Sequence, residues 1–154
     1  MENTNQKTID TLNNLLEINN DRIEGYRHAS KETDEADLKD LFTQFSRTSH
    51  EFKQTLTEKI KSLGGTPVRG TRNTGKLYRA WMDIKAALTN KNRKAILASC
   101  EFGEDVAVKN YEDALKDNPI ESSLYPIIQS QYNVIKADHD QVKRLRDASV
   151  SVQA

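Results

Sequence analysis

Apolar residues recur at three- and four-residue steps over most of the chain, and the polar positions that interrupt this stripe are few and central. Ile9, Leu12, Leu16, Asn19, Ile23 and Tyr26 keep helical phase, with Leu15 widening the stripe, which predicts a helix over 8–31. Gly25 is tolerated inside it at about 1 kcal/mol relative to alanine. Thr33-Asp34-Glu35 reads as a turn and N-cap. Leu38, Leu41, Phe42, Phe45, Ser49, Phe52, Leu56, Ile60 and Leu63 predict a second helix over 35–63, stopped by Gly64-Gly65 and Thr66-Pro67. The short connection makes these two an antiparallel hairpin.

Residues 64–92 break the pattern. An irregular stretch leads into a short helix over 76–88, with Leu77, Trp81, Ile84 and Leu88 on one face. A third long helix over 91–116 aligns Leu97, Cys100, Glu104, Ala107, Val108, Tyr111 and Leu115, and Asp117-Asn118-Pro119 ends it. Ser122 or Ser123 caps a last helix reaching 148, with Pro126 in its first turn. Its inner stripe is Leu124, Ile127, Ile128, Gln131, Ile135, Asp138, Val142 and Leu145. Residues 1–7 and 150–154 are expected to be loose. Two hairpins joined by a long crossover predict an all-α, ferritin-like four-helix bundle, a single domain over 1–154. A weak internal repeat agrees: Asn19 precedes Tyr26 by seven residues, Glu104 precedes Tyr111 by seven, and Ala29 and Ala114 follow each tyrosine by three.

Composition narrows the classes. Charged residues make up 30% and hydrophobic residues 36%, the balance of amphipathic helices rather than a disordered chain. The formal net charge is zero, so no global field draws the molecule to nucleic acid or membrane. No apolar run reaches transmembrane length, and Met1-Glu-Asn-Thr lacks the basic start and apolar core of a signal peptide, so a cytoplasmic location is expected. A single cysteine, Cys100, forms no intramolecular disulfide, and on a core face it is expected to be an inert thiol.

Glu104 is the most informative residue. A carboxylate central on an apolar stripe must pair, bind a cation or stay protonated. One reading makes it a metal ligand, with Glu101 or groups on adjacent helices. The favoured reading makes it part of a buried polar layer with Asn19, Tyr26, Tyr111 and Gln131. A di-iron centre needs about four carboxylates and two histidines, as Glu-x-x-His on two helices. Arg47 stands three residues before His50 and Lys136 before His139, so neither makes that pair. His28 and His50 are expected at the surface, Asp138 is expected to reach solvent at the bundle end, and Glu17, Asp21, Glu24 and His28 read as a solvated outer row. Between residues 64 and 93, Arg69, Arg72, Lys76, Arg79, Lys85, Lys91 and Arg93 face a single acid, Asp83. Arg69, Arg72, Lys76 and Arg79 form a candidate binding patch for an acidic partner or phosphate. Trp81 is expected to plug the bundle end.

Leu16-Glu-Ile-Asn-Asn-Asp-Arg-Ile-Glu24-Gly25-Tyr26, Gly64-Gly65-Thr-Pro67, Gly75-Lys-Leu-Tyr-Arg79-Ala-Trp81, Leu88-Thr, Glu101-Phe-Gly-Glu104-Asp105, His139-Asp140 and Leu145-Arg146 resemble the bacterial four-helix-bundle proteins called domain of unknown function 2383. The resemblance extends over nearly the whole chain and implies a ferritin-like fold and bacterial origin. It implies no established activity. The wider ferritin-like superfamily often places a metal-binding glutamate seven residues before a tyrosine on the first helix, where this chain has Asn19. Glu104 matches the third-helix ligand position, and Gln131 stands where a fourth-helix ligand would lie. These departures argue against oxidase, ferroxidase and peroxidase chemistry. The expected function is that of a non-catalytic interaction or stress-associated protein with a degenerate metal site, with no cofactor and with a homodimer as the expected assembly. The alternatives are a ferritin-like iron or manganese oxidoreductase or storage protein, and nucleic-acid or acidic-partner binding through the crossover, of which nucleic acid is the less expected.

Overall fold

A computed structural model describes residues 2–70, 75–116 and 120–153. The fold is all-α. Helix α1 spans Glu2–Glu32, α2 Ala36–Ser62, α3 Gly75–Thr89, α4 Arg93–Lys116 and α5 Tyr125–Gln153, the last entered through a 3-10 turn at Ser122–Leu124. Helices α1 and α2 pack as one hairpin and α4 and α5 as another, while the short α3 lies against α4 and α1. The two ends expected to be loose are helical, α1 from Glu2 and α5 to Gln153. The helix end at Asp117-Asn118-Pro119 lies outside the described residues. No helix among the described residues is long and apolar enough to cross a membrane.

Local chemistry fixes the ends of the elements. At the start of α2, Arg93 reaches across from α4 and donates to Glu35 Oε1 at 2.8 Å and to both oxygens of Asp37 at 3.0 and 2.7 Å. The two acids also face the positive end of the α2 dipole. At the other end of α2, Gly64 takes a positive φ of 83°. Its N–H donates to Lys61 O, and the Gly65 N–H donates to Ile60 O at 2.9 Å, closing a Schellman turn. Asn92 caps α4, its Oδ1 accepting from the Ala95 N–H at 3.0 Å.

The crossover is tied down by the asparagines of α1. Asn13 donates to Thr66 O at 3.1 Å and accepts from the Val68 N–H at 2.9 Å, and Asn20, two turns on, donates to Gly70 O at 2.9 Å. An amide side chain suits this use because it satisfies both the N–H and the C=O of an irregular backbone. Helix α3 is then held by Trp81, whose ring lies on the α1 backbone at Gly25. A Cβ at Gly25 would come within 2.4 Å of the ring. The residue that weakens α1 as a helix is therefore the seat of the tryptophan. Trp81 also meets Tyr26 edge-on at 4.9 Å between centroids.

The core has two apolar halves with polar side chains between them. One half gathers Leu12, Leu15, Leu16, Leu56, Ile60, Ala107, Tyr111 and Ile128. The other gathers Tyr26, Leu38, Phe42, Phe45, Ile84, Leu97, Cys100 and Val142. Each long helix runs from one half to the other and presents a polar residue in the middle: Asn19 and Arg22 on α1, Ser49 on α2, Glu104 on α4, Gln131 and Asp138 on α5.

Candidate functional site

The middle of the core is built around an arginine. Arg22 is fully buried, and its guanidinium meets Glu104 with two bonds: Nε donates to Oε2 at 3.0 Å and Nη2 to Oε1 at 2.6 Å. Nη1 donates to Ser49 Oγ at 2.6 Å and Nη2 also to Asp138 Oδ2 at 3.1 Å. Four long helices thus meet at one cation, and four of its five N–H directions are accounted for. The planar guanidinium is also flanked by the rings of Tyr26 and Phe45, at 5.5 and 5.8 Å from its carbon to the centroids. Taking two charges out of water costs several kcal/mol each, which the paired, hydrogen-bonded geometry offsets.

Electrostatics follow from this burial. Burial alone would lower the Arg22 pKa, but the Glu104 carboxylate, with Tyr26 and Asp138 behind it, holds it above the ordinary arginine value. Asp138 is pushed up to about 6 by burial, which outweighs the lowering by Arg22, and Glu104 adds to the rise. Burial and the neighbouring Glu104 push the Tyr26 hydroxyl well up and raise the Cys100 thiol too, so neither ionises readily. Cys100 is buried and free, which suits a packing role.

A second, neutral cluster adjoins the first. Asn19 Nδ2 donates to Leu15 O at 2.8 Å and to the Tyr111 hydroxyl at 2.9 Å, and that hydroxyl donates to Gln131 Oε1 at 2.7 Å. Burial raises the Tyr111 pKa, against lowering by Asn19 and Arg22. The half-repeat is therefore crossed: Asn19 of the first hairpin meets the tyrosine of the second, and Glu104 of the second acts electrostatically on Tyr26 of the first. Tyr26 is buried, and its hydroxyl has no hydrogen-bond partner among the described residues.

The other predicted positions separate. Glu101 is half-buried between α4 and α5, where it accepts from Arg146, and its Oε2 stands 3.9 Å from His139 Nε2. His139 Nε2 is 2.6 Å from Asp105 and Nδ1 3.0 Å from Asp140. Arg69 and Arg79 are exposed, while Arg72 and the side chain of Lys76 lie outside the described residues. His28 and His50 are exposed. Two expectations are corrected. Asp138 does not turn to solvent at the end of the core; its side chain is 15% exposed and ion-paired with Arg22, because a buried cation supplies the missing partner. Asp21 does not belong to a solvated row; it is buried, 4% exposed.

Arg22 is the residue that sequence reasoning missed. Hydropathy puts Ile23 in the core stripe, yet Ile23 is half-buried beside an outer groove and Arg22 is the inward residue. The signal was present: Arg22 lies three residues after Asn19 and four before Tyr26, both inward positions, and a buried Glu104 calls for a cation of its own.

As a metal site, this donor set does not fit. Both Glu104 oxygens already accept from Arg22, the nearest second carboxylate shares the same guanidinium, and the facing groups Asn19, Ser49 and Gln131 are neutral. No group of three or more His, Cys, Asp or Glu side chains able to hold a metal occurs among the described residues.

The model of the family described as domain of unknown function (DUF2383) matches residues 7–117, and the chain belongs to that family. No curated protein matches the sequence.

Proposed function

We propose, from membership of this family of unknown function, that the chain is a non-catalytic ferritin-like bundle in which an arginine takes the place of a metal ion. The short hairpin, long crossover, short hairpin order supports the ferritin-like topology within a single domain. The observation that carries the functional reading is the two-bond contact between Arg22 and Glu104 in the middle of the core. A metal centre of this architecture neutralises inward carboxylates with cations taken from solution. Here the chain supplies its own cation, which is permanently charged and cannot dissociate or change redox state. The consequence is a fixed core that joins four helices, with function left to the outer surface of a cytoplasmic interaction or stress-associated protein.

Metal analysis of protein purified without chelator tests this. The expected result is no stoichiometric iron or manganese, and no rise in melting temperature when either is added. Stoichiometric metal that is lost on Glu104→Gln would overturn the proposal.

A further inference from the structure

We propose that the outward face of α3 is a docking surface for an acidic, amphipathic helix of a partner protein. Among the described residues, α3 is the one α-helix outside the two hairpins, and its inner face is spent on the core through Ala80, Ile84 and Leu88. Its outer face is not polar throughout. Tyr78 and Met82, one turn apart, are 37% and 43% exposed, two of the four large hydrophobic side chains so exposed among the described residues. At 100° per residue, Lys85 continues the row of Tyr78 and Met82, and Arg79 flanks it. Arg79 and Lys85 are exposed and form no ion pair among the described residues.

Charge decides the occupant. Residues 69–85 hold Arg69, Arg72, Lys76, Arg79 and Lys85 against Asp83 alone, in a chain whose net charge is zero. A second copy docking by the same face would set Arg79 and Lys85 against their counterparts across a two-fold axis. Nucleic acid would find few phosphate contacts and would leave Met82 without an apolar partner. A helix with an apolar stripe bordered by Asp and Glu satisfies both features, the stripe covering Tyr78 and Met82 and the acids meeting Arg79 and Lys85. This names a partner class for the surface-borne role proposed above and rests on that reading only in expecting the outside of the helices to act. Failure here leaves the core assignment standing, because metal content tests that separately.

The test uses the full chain and a synthetic helix of about 18 residues, roughly five turns, with a leucine stripe flanked by glutamates. Calorimetry gives the affinity, and the emission of Trp81, on the same helix, reports engagement. The expected result is binding in the micromolar range at about 0.05 M salt. That binding should weaken about tenfold on Met82→Glu, on scrambling the leucine stripe, or on raising salt to about 0.3 M. Met82 is exposed, so Met82→Glu is expected to keep the wild-type melting temperature; Tyr78→Ser is a second variant with the same expected loss of binding. The proposal is overturned if the peptide does not bind, or if the scrambled peptide binds equally. It is also overturned if both variants bind as wild type, or if a short DNA duplex or anionic vesicles bind more tightly than the peptide.

Discussion

Replacing Arg22 with methionine keeps an unbranched apolar stem and deletes the cation. Glu104, 1% exposed, and Asp138, 15% exposed at its side chain, would then share one region of the core with no positive charge, and Ser49 Oγ would lose its donor. Breaking a buried pair from one side costs about 3–5 kcal/mol, because the remaining charge is left desolvated. For a chain of this length each kcal/mol lowers the melting temperature by about 2–4 °C, so a fall of roughly 10 °C is expected. The double variant Arg22→Met with Glu104→Leu removes the fully buried pair and leaves only the partly exposed Asp138, so it should recover most of the loss, with a coupling of about 2 kcal/mol or more. Urea denaturation followed by far-UV circular dichroism measures all four corners of the cycle. A loss under about 1 kcal/mol for Arg22→Met, the value of an exposed pair, would refute the reasoning. So would a double variant no more stable than the single one.

Two other measurements reach different parts of the structure. Asp138 has a folded pKa of about 6 against an ordinary 3.8, so between those values the folded state holds a proton that the unfolded state has released. Its contribution to stability is therefore complete below about pH 4 and falls by about 3 kcal/mol as pH rises through 6. Asp138→Asn should remove this part of the slope, and urea midpoints of wild type and variant that run parallel from pH 4 to 7 would contradict it. Gly25→Ala adds a methyl group within 2.4 Å of the Trp81 ring. It should lose about 1–3 kcal/mol to overpacking despite alanine's better helix propensity, with a shift in the emission of this sole tryptophan; a gain in stability would show that Trp81 does not sit there.

The sequence by itself determined the helices and their order. Helical periodicity is a local property repeated over many turns, so the apolar stripes, the Gly64-Gly65 stop and the long crossover were all readable, to within a few residues at most ends. The helical ends of α1 and α5 are not legible in this way, because a short polar stretch gives no periodic signal, yet it continues a helix already nucleated next to it. The inward position of Glu104 was readable for the same reason as the stripes. What tertiary structure alone decided was the partner of Glu104. Arg22 and Ile23 are neighbours on one helix, and hydropathy prefers the isoleucine inside. Only the meeting of four helices makes the arginine the better buried residue, because Glu104, Asp138 and Ser49 converge there from three other segments. The same convergence returned Asp138 to the core and let Gly25 be read as the seat of Trp81 rather than a flaw in a helix. A buried charge is stable only relative to other buried charges, and their distances are set by the fold and not by the sequence near any one of them.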